Sequence, residues 1–89
     1  MKLFADVEEC RQVISSYMND FSKENQIRMQ ITIDNCGFLP KRKQIYNMTY
    51  TFRSCLWDIP EAVDIGFHSW LKQNIPSRIE ALRYYKVIK

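Results

Sequence analysis

A chain of 89 residues with two glycines and three prolines has room for one core, a single domain spanning 1–89. At this size folding withdraws only roughly 60–65% of the exposable surface from water. A hydrophobic share of 46% and a charged share of 26% exclude disorder as the main state. The net charge of +3 is unevenly spread: residues 1–34 sum to −2, 35–57 to +4 with no acidic side chain, 58–76 to −2 and 77–89 to +3.

No apolar run approaches the ~20 residues of a spanning helix, and MKLFADVEEC turns acidic where the apolar stretch of a signal peptide would stand. Cys10, Cys36 and Cys55 are odd in number and lack CxxC spacing, so a reducing cytoplasm is the expected setting.

Residues 2–4 open either a helix or a very short strand. From Asp6 a helical stripe begins, with Val7, Cys10, Val13, Ile14, Tyr17, Met18 and Phe21 at steps of three and four. Asp6 with Glu9 reads as a capping box, and the predicted helix runs from Asp6 to Lys23. Ile27 to Asp34 then alternates: Ile27, Met29, Ile31 and Ile33 on one side, Arg28, Gln30, Thr32 and Asp34 on the other. This pattern predicts a strand. Asn35 to Lys43 reads as a long loop. Gln44 to Trp57 alternates again, predicting a second, antiparallel strand with Tyr46, Met48, Tyr50 and Phe52 on a buried face and Asn47, Thr49, Thr51 and Arg53 on a polar one.

Asp58 and Glu61 repeat the helix-start signal around Pro60. Ile59, Ala62, Val63, Gly66, Phe67, Trp70, Leu71 and Ile75 trace a second helix, ended by Pro76. Ser77 to Glu80 is a third box and predicts a short helix through about Tyr84, and 84–88 either extends it or forms an edge strand. The expected class is therefore α+β. An α-β-β-α core has its β-hairpin packed by two helices on one face, followed by a short C-terminal helix or edge strand. The alternative, with 2–4 and 84–88 both strands, is the ferredoxin-like order β-α-β-β-α-β.

Candidate chemistry is thin. Cys10, Cys36, Cys55 and His68 match no zinc-binding spacing, so no metal is expected. Cys36 in its turn is a conceivable nucleophile, but no spacing pairs it with His68. Asp58, Glu61 and Asp64 are largely explained as helix-start residues. No cofactor loop is present and no enzymatic activity is expected.

Two binding readings follow. The leading one is a protein-binding module that occupies a partner's surface. Its first patch is Phe38 and Leu39 beside Lys41, Arg42 and Lys43, and its second is Arg83, Tyr84 and Tyr85, because aromatics, Met and Arg favour interface centres. The other is nucleic-acid binding by the basic loop and a polar sheet face of Arg28, Gln30, Thr32, Asn47, Thr49, Thr51 and Arg53. That reading lacks outward aromatics for stacking on bases. In size and in having no catalytic signature the chain is similar to the small inhibitors and regulators that phages and mobile elements encode, a likeness of general character with no shared motif.

Overall fold

The computed structural model describes residues 6–75, and no strand occurs among the described residues. Along them run α1 (Val7–Tyr17), α2 (Lys23–Asn35), α3 (Lys41–Ser54), α4 (Pro60–Ile65) and α5 (Phe67–Asn74), with 3-10 turns at Met18–Asp20, Cys36–Phe38 and Cys55–Asp58. The expected α+β class is overturned, and with it both the β-hairpin and the ferredoxin-like alternative. Both runs predicted as strands, 27–34 and 44–57, lie mostly or wholly within α2 and α3. The expectations for residues 2–4, the Ser77–Glu80 box and the tail at 84–88 fall outside the described residues.

The alternation misled for a geometric reason. In a helix, residues two apart point about 200° away from each other, whereas residues four apart share a face. The apolar series of α2 therefore splits. Met29 is buried and Ile33 packs against the core, while Ile27 and Ile31 turn outward. The series of α3 splits likewise, with Met48 and Phe52 in the core and Tyr46 and Tyr50 exposed. Thr49 and Thr51, expected on a solvated face, are buried instead. Ile45, Met48, Phe52, Cys55 and Leu56 form the helical stripe hidden within the alternation. Two strands alone would also make a marginal sheet, whereas a helix satisfies its backbone within its own segment.

The cap at Asp6 forms as read, its carboxylate accepting the Glu9 N–H at 2.8 Å. The first helix ends earlier than Lys23, because the chain breaks at Phe21 and restarts. The Ser22 side chain accepts the Asn25 N–H at 3.2 Å and caps α2, and Lys23 is the first residue of α2. Pro60 takes the first position of α4 as expected. The long second helix is interrupted at Gly66, whose φ of 92° and ψ of 139° are open to glycine and strained for any other residue. Asp58 does not cap α4. Its carboxylate instead accepts the Ser22 N–H at 2.9 Å and the Asn25 side-chain amide at 2.7 Å, tying the start of α2 to the turn after α3.

All five helices feed one core, from Cys10 and Ile14 through Met29, Met48 and Phe52 to Ala62, Trp70 and Leu71. Its centre is aromatic. Tyr17 meets Phe52 at 5.9 Å and Trp70 at 5.2 Å between ring centroids, and Phe21 meets Phe52 at 5.9 Å, all edge to face. Each such side chain taken out of water contributes about 1.5–3 kcal/mol, which holds the inner face of α3 in place and presents its outer face to solvent.

Candidate protein-binding face

α2 and α3 form an antiparallel helical hairpin. Its rungs run in opposite sequence directions: Cys36 Sγ to the Gln44 carbonyl at 3.9 Å, Thr32 to Thr51 through their hydroxyls at 3.0 Å, and Arg28 Nη2 to Ser54 Oγ at 3.1 Å. Between the helices lies a groove of about 450 Å³. Ile31, Thr32 and Asn35 line it from α2, Cys36 and Leu39 from the turn, and Tyr46, Asn47, Tyr50 and Thr51 from α3.

Three of the large hydrophobic side chains that stay exposed among the described residues, Ile31, Tyr46 and Tyr50, line this groove, and Phe38 stands beside it in sequence. Tyr46 and Tyr50 are each 69% exposed, Ile31 52%, and Phe38, immediately before Leu39, is 98% exposed. The turn presenting Phe38 is fixed from behind. The Leu39 N–H donates to the Cys36 carbonyl at 3.0 Å, and the Leu39 carbonyl accepts from the Gln44 side chain at 2.8 Å. The turn thus carries a solvated phenyl ring at its tip over a hydrogen-bonded backbone.

Of the first predicted patch, Phe38 is exposed, Leu39 is half-buried in the groove wall, and Lys41, Arg42 and Lys43 are exposed. The three cations are not in a loop as expected: they form the first turn of α3, which has no acidic residue and no side-chain cap. The second patch, Arg83, Tyr84 and Tyr85, lies outside the described residues. The polar sheet face does not exist. Of its members, Thr49 and Thr51 are buried, and Thr32 is bonded to Thr51. Arg28 donates to Asn25 at 2.9 Å and Gln30 to Asp34 at 2.9 Å. Asn47 and Arg53 remain exposed on α3. The residues missed from the sequence are Ile31, Tyr46 and Tyr50. Their signal was present as the pairs Ile27/Ile31 and Tyr46/Tyr50, each four apart, but the strand reading assigned both pairs to the core.

The thiols sit in no reactive setting. Burial pushes Cys10 up to about 12, and it raises Cys36 and Cys55 above the ordinary thiol value as well. Cys36, expected as a conceivable nucleophile, is buried, and His68 is exposed on α5. Among the described residues no three His, Cys, Asp or Glu side chains converge as a metal site would require, and no helix is long and apolar enough to cross a membrane. The chain matches no protein-family model, no curated protein and no solved structure.

Proposed function

We propose that this chain is a non-enzymatic protein-binding module, an inhibitor or regulator that acts by occupying a partner's surface with its α2–α3 face. One observation carries the reading: Phe38, Ile31, Tyr46 and Tyr50 stay in water although the chain has a complete aromatic core beside them. Exposed aromatics around a groove, with cations at its end, have the composition of an interface centre. A buried aromatic anchor there contributes about 2 kcal/mol or more, far above a rim lysine. Three buried, free thiols suit action in the cytoplasm.

A second reading shares part of the surface. Tyr46 and Tyr50 lie on one face of α3 with Lys43 and Arg53 at steps of three, and a single strand of nucleic acid uses such an arrangement of aromatics and cations. The aliphatic Ile31 and Leu39 opposite the tyrosines favour protein. The deciding experiment is affinity capture from the native host with the full chain, Phe38→Ser and Tyr50→Ser, each with and without nuclease. The expected result is a nuclease-resistant protein retained by the parent chain and lost from both variants while their circular dichroism is unchanged. A partner lost on nuclease treatment transfers the face to nucleic acid. A partner retained by both folded variants removes the face from the function.

A further inference from the structure

We infer that the occupant of the α2–α3 groove is an acidic amphipathic helix, seated with apolar side chains between Ile31 and the Tyr46/Tyr50 pair and with carboxylates toward the first turn of α3. The inference rests on the protein-binding reading and names the chemistry of the partner.

The apolar half follows from the shape. A trough between two antiparallel helices, with Ile31 beside Thr32 and Asn35 on one wall and Tyr46 and Tyr50 beside Asn47 and Thr51 on the other, accepts apolar residues spaced three and four apart on a third helix, with polar groups between them. The acidic half follows from an arrangement that works against the isolated chain. A helix start carries the positive end of the backbone dipole and favours Asp or Glu, as in α1 with Glu8 and Glu9. The first turn of α3 carries Lys41, Arg42 and Lys43 instead, with no acid among them and no side-chain cap. Three like charges at the positive pole repel the dipole and one another. Carboxylates brought by a partner relieve all of that at once. The polarity continues along α3, where Lys43, Tyr46, Tyr50 and Arg53 follow one another on a single face at steps of three and four, with Asn47 beside them, and no acidic residue occurs from 35 to 57. The nearest acid on α2 by register, Asp34, accepts from Gln30 on its own helix. A second copy of this chain offering the same face would bring no acidic side chain from 35 to 57 to meet these cations, so charge argues against self-association through this face.

The test is selection from a phage-displayed library of random peptides of about 16 residues, some four helical turns, against the full chain. Enriched peptides are expected to share apolar residues at steps of three and four, flanked by Asp and Glu, with a clear net negative charge. A synthesised winner should bind about tenfold or more weakly to Tyr50→Ser and to the triple reversal Lys41→Glu, Arg42→Glu, Lys43→Glu, and should weaken as NaCl rises from about 50 to about 500 mM. The triple variant should melt no lower than the parent, because acids now meet the dipole, so its loss of binding is not a loss of folding. Neutral or basic winners, winners indifferent to the reversal, or no enrichment overturn the acidic-helix assignment. So does a polyuridine oligonucleotide of about 20 nucleotides that binds more tightly than any winner. If those results come while the captured host protein is still lost on Tyr50→Ser, the interface stands and only its occupant is wrong.

Discussion

The two faces of α3 use aromatic residues for opposite ends. Phe52 lies wholly out of water, edge to face with Tyr17 and Phe21, whereas Tyr50, two residues earlier, stands mostly in solvent beside a groove. Chemically they differ by one hydroxyl. What separates them is a rotation of about 200° around the helix, which turns one into structure and leaves the other available for recognition. The lesson is that aromatic content by itself locates neither the core nor the interface. The period that connects the aromatics does.

The largest effect expected from this contrast comes from truncating each ring in turn. Phe52→Ala should cost about 3–5 kcal/mol, a large share of what a domain this small has, and urea unfolding measures it directly. Tyr50→Ala should move the same midpoint by no more than about 0.5 kcal/mol, since little of it is withdrawn from water. A Tyr50 variant as unstable as the Phe52 variant would place both rings in one core and return the fold to the strand reading.

That strand reading shows how far the sequence was legible. The end of the α1 signal was misplaced, but the cap at Asp6, the position of Pro60 and the burial of Cys10 could all be read, because each depends on local chemistry. Met29/Ile33 and Met48/Phe52 were correctly expected inward. Ile27/Ile31 and Tyr46/Tyr50 were not, because a step of four occurs in both periodicities and only the intermediate step of two distinguishes them. An amphipathic helix with one clean stripe resists this confusion. A helix with a second, outward apolar stripe mimics a strand, and such a stripe is what a docking face requires. Ile31, Tyr46 and Tyr50 thus belong both to the error and to the candidate interface. Phe38 and the Lys41–Lys43 run were legible because a loop reading and a helix-start reading both expose them.

Smaller than the core effect is the tie between Asp58 and the start of α2. Hydrogen bonds from the Asn25 side chain and then from the Ser22 N–H hold the Asp58 carboxyl below its ordinary value of 3.8. A carboxyl depressed by folding stabilises the native state above its unfolded pKa, and that contribution is lost as pH falls through the folded value. Asp58→Asn should therefore lower the urea midpoint near neutrality, and the gap to the parent should close on acidification below about 4. A gap that stays constant down to that range would mean that the carboxylate's charge contributes nothing and that shape alone holds the junction. The outer face of α3 should be indifferent throughout, with the apparent affinity of a bound partner unchanged by Asp58→Asn near neutrality.

The finest division on α3 lies between two threonines that face inward. Thr32 has a single hydroxyl proton, donated to the Arg28 carbonyl at 3.0 Å, so the 3.0 Å bond between Thr32 and Thr51 has Thr51 as its donor. Thr49 is equally buried, and its Oγ1 has no hydrogen-bond partner. Valine copies the shape of threonine and removes the hydroxyl. At 51 it deletes a bond that joins α2 to α3 and should cost about 0.5–1.5 kcal/mol. At 49 it deletes a buried polar atom that gains nothing in the folded state, and should stabilise by about 0.5–1 kcal/mol. Helix propensities of the two residue types are close enough not to decide either sign. The same substitution two positions apart is thus expected to shift the melting temperature in opposite directions. Had these threonines stood on a solvated sheet face, both changes would be near neutral, so a matched pair of small, equal shifts is the result that would count against the packing of α3 described here.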